Sequence, residues 1–159
     1  MSNPFFTLQN AAADHLAERE SLADVPMITE EKGDVVNRLN QSLAKGGLLP
    51  HYSGKSGVAM ILHTPTGLGQ GGTRSISKMQ IKLRVEIYVK VLINDGANGM
   101  QKEPLDVLWD VIQQMCSWDS GYGQMPVELL NFDTLENTAQ EVSYYADFAV
   151  PKGLTLTNA

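Results

Sequence analysis

The feature that most constrains this chain is a strict alternation of apolar and polar side chains between residues 79 and 93. Apolar side chains occupy every odd position, and polar side chains or Tyr88 occupy the even positions from 80 to 90. Because successive side chains of a β-strand point to opposite faces, this period of two predicts a strand with one buried face and one solvated or paired face. At about 3.3 Å per residue the segment would span roughly 50 Å, which favours a strand that projects from the body or contains a bulge.

Shorter patterns predict the elements around this strand. Apolar residues at helical spacing predict three helices: one after Pro4, one whose apolar residues lie at 35–43, and one at 105–116. The second helix is expected to end at Gly46. Further strands are predicted by short apolar or alternating runs, at 24–29, 57–63, 127–132 and 142–150. The expected fold is α/β (α+β), a mostly antiparallel sheet of about four to five strands flanked by two to three helices, with a long hairpin loop.

Length and charge bound the class of protein. The 159 residues fit a single domain, predicted over 1–150, followed by a loose C-terminal tail at 151–159. The net charge of −6 argues against a surface that coats nucleic acid. The N-terminus lacks the pattern of a signal peptide, and no run of apolar residues is long enough to span a bilayer, so no membrane partner is expected.

The glycine-rich segment between the strands at 57–63 and 79–93 contains Gly67, Gly69 and Gly72 at the spacing of a dinucleotide fingerprint. That fingerprint requires a helix after the glycines, because the pyrophosphate binds at a helix N-terminus. A strand pattern follows here instead. The segment is therefore interpreted as a mobile hairpin connection, and no cofactor is expected.

No catalytic or metal site is predicted. The three histidines show no paired spacing of metal ligands, and no local grouping resembles a Ser–His–Asp triad, although a triad that only the fold assembles stays open. These observations favour a structural or interaction role over an enzyme.

The aromatic residues and the single cysteine are assigned by periodicity. Cys116 lies on the apolar stripe of the third helix and is expected to be a small core side chain. The same spacing places Trp109 and Tyr144 in the core and leaves Tyr145 and Trp118 freer to contact a partner.

Three stretches carry a resemblance to a known family. They are "LADVPMITEEKGDVVNRLNQSLAKGG", "KLRVEIYVKVLINDGANGMQKEPLDVLWDVIQQM" and "SYYADFAV", with a strand and a glycine-rich gap between the first two. Over roughly residues 5–150 the chain resembles the tail terminator (tail completion) proteins of long-tailed bacteriophages and the related minor tail proteins of prophages. The strongest points are Val25-Pro26, Asn94 and residues 145–150, and the chain departs from the family in the glycine-rich stretch 66–78.

The resemblance implies a helix-flanked sheet that assembles into a homohexameric ring at the head-proximal end of the tail. Such a ring stops polymerisation of the tail tube protein and joins the tail to the head-side neck or connector (stopper) protein. It is assembled in the cytoplasm of the host bacterium and becomes part of the virion. Genomic DNA only passes through the channel, and the negative charge of the chain suits a wall that does not retain a polyanion.

For such a ring the strand at 79–93 and the loop at 66–78 are the expected subunit contact, because a strand with an exposed edge can pair with a neighbour. The candidate interface residues belong to the glycine-rich segment, the polar face of the long strand or the last strand: Gly67, Gly69, Gly72, Arg74, Lys78, Lys82, Arg84, Glu86 and Tyr145. Their four cations are expected to meet acidic neighbours, although each position fits a solvated polar face equally well.

Two other readings stay open. The chain also fits another neck component of similar fold, such as a head–tail stopper or an adaptor. Less well, it fits a small α/β ligand-binding domain or an enzyme.

Overall fold

The computed structural model describes residues 3–32, 58–64, 80–90, 103–118, 127–137 and 141–151. In these ranges the chain forms two α-helices, α1 (Pro4–Ala17) and α2 (Pro104–Cys116). It also forms five strands: β1 (Met27–Thr29), β2 (Val58–His63), β3 (Gln80–Lys90), β4 (Glu128–Asn137) and β5 (Glu141–Pro151). Single 3-10 turns occur at Glu20–Leu22 and Glu30–Lys32. The predicted helix at 35–43, the glycine-rich segment and residues 152–159 lie outside the described residues.

The strands form one mixed sheet with the order β1-β2-β3-β5-β4. Only β1 and β2 run parallel, whereas the β2–β3, β3–β5 and β5–β4 pairs are antiparallel. The predicted α+β class with a mostly antiparallel sheet is therefore confirmed. The expectation that the long strand offers an exposed edge is wrong for residues 80–90, because β3 is hydrogen-bonded to β2 on one side and to β5 on the other.

The core lies between one face of the sheet and the two helices. The odd residues of β3 from 81 to 89 are all buried there, as the alternation predicts, and they pack with Phe148 of β5. Leu8, Ala12 and Leu16 of α1 close the core over one part of the sheet. The residues of α2 that do so share one stripe: Val107, Leu108, Val111 and Met115.

The helices begin where the sequence provides suitable residues and are joined to each other at their C-terminal ends. Asn3 caps α1, since its Oδ1 accepts a hydrogen bond from the Phe5 amide at 2.9 Å, and proline occupies the first turn of both helices. His15 Nε2 donates to the carbonyl oxygen of Gln114, and Gln114 Nε2 donates to the carbonyl oxygen of His15, each at 2.8 Å. This reciprocal pair of hydrogen bonds holds the C-terminal parts of the two helices together.

Two assignments made from periodicity are wrong, because Trp109 is 57% exposed and Cys116 is exposed. Trp118, expected to be freer to contact a partner, is partly buried, with its ring stacked on His15 at 5.3 Å between centroids. For Trp109 and Cys116 the reason is that the apolar stripe of α2 is wider than the strip of helix that the sheet covers. At 100° per residue, Trp109 and Cys116 fall on one flank of the buried stripe rather than in it. Tyr144 packs against the core, as predicted.

Within the part of the chain that the structure describes, neither helix combines the length and the apolar character needed to cross a membrane.

Candidate assembly interface

The candidate residues that the structure describes lie together on the second face of the sheet, away from the helices. Lys82, Arg84 and Glu86 follow one another on the even side of β3, and Tyr145 lies beside them on β5, opposite Glu86. Five of the candidates lie outside the described residues: Gly67, Gly69, Gly72, Arg74 and Lys78.

Arg84 is engaged by an acid of its own chain. It lies directly opposite Asp147, and its Nε and Nη2 donate to the two carboxylate oxygens at 2.7 and 3.0 Å. The hydrogen bond to Asp147 raises the pKa of Arg84, against the opposing effect of burial. The guanidinium also lies 4.2 Å from the centre of the Tyr145 ring, whose hydroxyl accepts from Asn131 Nδ2 at 3.0 Å.

Glu86, beside Arg84 on the same face of β3, is also bound by side chains of its own chain. His63 Nε2 on β2 lies 2.5 Å from one carboxylate oxygen, and the hydroxyl of Tyr88 donates to the other. Burial would raise the pKa of Glu86, but the hydrogen bonds from His63 and Tyr88, together with the charges of His63 and Arg84, outweigh it and leave the pKa lowered. Glu86 is therefore held as a carboxylate.

These contacts form one polar network, which we define by the side chains that make it: His63, Arg84, Glu86, Tyr88, Asn131, Tyr145 and Asp147. It crosses four strands in succession, from β2 through β3 and β5 to β4. Register errors would break it, because a slip of one residue moves every one of these side chains to the other face. Its direct role is to hold the strands in register.

Lys82, next to this network, is only 6% exposed. The two candidate cations of β3 thus do not stand free on a solvated face, because Lys82 is buried and Arg84 is paired with Asp147. It stays a prediction that a neighbouring chain contacts Lys82, Arg84, Glu86 and Tyr145. Such a contact could use only the parts of these side chains that remain accessible to solvent in the folded chain.

The polar network shows no feature that requires a ligand. Among the residues that the structure describes, every buried side-chain nitrogen or oxygen has a hydrogen-bond partner. In the same ranges, no group of three His, Cys, Asp or Glu side chains is placed to hold a metal ion.

The surface that sequence reasoning missed lies on α2 and β4. Leu105, Trp109 and Phe132 are 56%, 57% and 54% exposed, and Leu130 and Leu135 are each just over 40% exposed. A shallow cavity of about 180 Å³ lies between α2 and β4, lined by Leu105, Leu108, Phe132, Asp133, Thr134 and Tyr144. We refer to these five exposed apolar residues as the α2–β4 surface.

The exposure of the leucines follows from how β4 pairs. β4 lies at the end of the sheet order, and its register with β5 shifts between Leu129 and Asn131 and again between Thr134 and Glu136. Leu130 and Leu135 are the residues skipped at these two bulges. The apolar residues of 127–137 do not keep a period of two, and that irregularity was the signal available in the sequence.

Exposed carboxylates lie on both sides of this patch. Glu103 and Asp106 lie at the start of α2, whereas Glu128, Asp133 and Glu136 of β4 pair with Ala149, Tyr145 and Ser143 and therefore share the face of the polar network. Residues 103–118 and 127–137 contain no lysine, arginine or histidine.

No protein-family model matches the chain, and no curated protein matches it in sequence.

Proposed function

We propose that the chain is a structural subunit of a tailed bacteriophage that forms a ring at the head-proximal end of the tail. The ring ends polymerisation of the tail tube and joins the tail to the neck. Its partners are further copies of the chain, the tail tube protein and the head-side connector protein, while DNA only passes through the channel. The subunit assembles in the bacterial cytoplasm and resides in the virion.

The observation that carries this proposal is the α2–β4 surface. Leu105, Trp109 and Phe132 are each more than half exposed beside the edge strand β4. Exposed apolar side chains grouped on one surface mark sites of protein association. The buried side-chain nitrogen and oxygen atoms of the described residues, in contrast, all have hydrogen-bond partners within the chain.

The order of the described elements also supports the proposal. A leading helix, a short strand after Val25-Pro26, a long central strand, a helix and a final strand follow one another as in the resemblance to tail terminators. The same order fits other neck components, so the experiment must separate the two kinds of protein.

The decisive experiment locates the chain in intact particles by electron microscopy and compares them with particles from a deletion of its gene. A tail terminator is expected as a ring between the tail tube and the connector, and its loss is expected to give tubes of uncontrolled length. Tubes of normal length that fail to join heads would instead identify a stopper or an adaptor. Absence of the chain from purified particles would contradict the proposal.

A further inference from the structure

We propose that residues 33–57, the connection between β1 and β2, pack on the second face of the sheet and close a second core there. The helix predicted at 35–43 covers Ile28, Ala59 and Ile61 with its apolar side chains. This inference goes beyond the proposed function and does not depend on it, because it concerns what lies on this face within a single chain.

A small apolar cluster on the second face is buried although none of the described elements covers it. Ile28 of β1 and Ala59 and Ile61 of β2 are 5%, 0% and 6% exposed, and Tyr88 of β3 packs against them. The buried apolar residues of α1 and α2 all belong instead to the core on the first face, the one that both helices cover.

The low exposure of Ile28 is the sharpest part of this observation. β1 lies at one end of the described sheet order, and neighbouring side chains in a sheet cover the flanks of a residue rather than its outer end. These exposures are those of a single chain. The cover over Ile28 therefore comes from residues of the same chain that lie outside the described ranges.

The connection between β1 and β2 is long enough to supply this cover. The two strands are neighbours and run parallel, so the chain must cross back over the sheet after β1 before it can enter β2. Such a crossover takes at least about a dozen residues and is usually a helix. After the 3-10 turn Glu30–Lys32, residues 33–57 are available for it.

The hand of crossovers selects the second face. β3 and β4 are also parallel to each other, because both pair antiparallel with β5, and α2 connects them across the first face. Both crossovers advance in the same direction along the sheet order, but β1 and β2 run opposite to β3 and β4. Crossovers between parallel strands of one sheet are right-handed almost without exception. Two crossovers of the same hand whose strands run in opposite directions lie on opposite faces, so residues 33–57 lie on the second face.

The sequence of the connection suits this position. The apolar residues of its predicted helix are Val35, Val36, Leu39 and Leu43. At helical spacing they form one stripe, and an amphipathic helix places such a stripe against a core. The cluster of Ile28, Ala59 and Ile61 provides the apolar surface that this stripe requires. Helices on both faces then make three layers over this half of the sheet.

The consequence for assembly is that the chain itself closes the second face over β1 and β2. A neighbouring molecule cannot use that area without displacing residues 33–57. The exposed apolar residues of the α2–β4 surface lie at the other end of the described sheet and are unaffected.

The first test uses the wild-type chain. Nuclear Overhauser effects between labelled methyl groups identify the side chains that contact Ile28 and Ile61. We expect contacts from both isoleucines to the valines and leucines at 35–43. Contacts only to methyl groups outside 33–57, or no contact beyond the described strands, would overturn the inference.

The second test places a reporter thiol under the proposed helix. Ile61→Cys is introduced together with Cys116→Ser, so that position 61 carries the single thiol, and its rate of reaction with a thiol reagent is measured in the folded chain. Adding Leu39→Glu is expected to raise this rate at least about tenfold, because it weakens the cover over the cluster. Gln41→Glu is the matched control, since Gln41 lies on the opposite side of the predicted helix and its change should leave the rate as it was.

Circular dichroism verifies that each variant is folded, and Leu39→Ala is the milder change if Leu39→Glu unfolds the chain. Equal rates for the variants at 39 and 41 would overturn the placement of the helix. These outcomes are independent of the proposed function. A chain absent from phage particles can still show the contacts of Ile28 and Ile61, and a chain located at the end of the tail can still lack them.

Discussion

At the scale of single residues, the polar side chains of β3 are partners for their own fold. Arg84 and Asp147 are 63 positions apart in the chain, yet the antiparallel register places them opposite each other, and the guanidinium binds the carboxylate through two nitrogens. Glu86 is similarly held between His63 and Tyr88. A charged residue whose place in the sequence suggests a solvated face can therefore form a contact within the sheet instead.

Glu86→Gln is expected to destabilise the fold by about 1–3 kcal/mol at neutral pH, because the hydrogen bonds that Glu86 accepts are made to a charged group. The pKa of Glu86 is lowered in the folded chain, so this stabilisation is complete above the ordinary glutamate pKa of about 4.3. It is lost as the pH falls from that value through the folded pKa. Urea unfolding from pH 7 to pH 3 measures the difference between variant and wild type.

The exposed Glu20 provides the control, since Glu20→Gln is expected to change stability by less than about 0.5 kcal/mol. A difference between Glu86→Gln and the wild type that does not shrink in acid would contradict the assigned role of Glu86.

At the scale of elements, α2 and β4 are each only partly used by the core. One stripe of α2 packs on the sheet, and the flank that carries Trp109 and Cys116 does not. β4 is exposed along nearly its whole length, and two bulges interrupt its pairing. Both elements thus keep apolar side chains available for a contact outside the chain.

The neighbouring residues Met115 and Cys116 provide a matched test of which face of α2 is buried. Met115→Ala is expected to lower the free energy of unfolding by about 2–5 kcal/mol, because it leaves a cavity at a fully buried position. Cys116→Ala is expected to change it by less than about 0.5 kcal/mol, and the native Cys116 thiol should react readily with a thiol reagent. Denaturant unfolding gives both values. Equal costs for the two substitutions would contradict this orientation of α2.

At the scale of the whole molecule, the two faces of the sheet serve the fold and its β4 edge is available for assembly. The helices cover one face, and the polar network holds the strands together on the other.

A head-to-tail ring makes a further prediction about mixtures. In such a ring each copy uses two different surfaces, and Trp109→Glu alters only the α2–β4 surface, so the variant still binds one neighbour and interrupts the ring. Co-expression with the wild type should therefore reduce the yield of closed rings further than dilution alone, as measured by native mass spectrometry. Phe5 is a 41% exposed aromatic residue on α1, so Phe5→Glu is the matched control and should enter rings normally. Complete exclusion of Trp109→Glu from mixed assemblies would contradict the head-to-tail arrangement.

The amino-acid sequence by itself determined the local part of this fold. The alternation of β3 predicted which of its residues are buried, and helical spacing with Pro104 predicted α2, because both patterns depend only on neighbours in the chain. The short strand after Pro26 and the strands before 64 and after 126 followed from the same kind of signal. The ion pair between Arg84 and Asp147 did not follow from such a signal, because no local pattern identifies a carboxylate 63 residues away.

Tertiary structure alone decided which strand lies at the edge of the sheet. β3 has the pattern of a long strand, but hydrogen bonding to β2 and β5 places it at the centre and leaves β1 and β4 outermost among the described strands. The same assembly decided that Trp109 and Cys116 lie beyond the rim of the core rather than in it. Periodicity states which side chains share a face, whereas the width of the surface that covers that face depends on elements distant in the chain.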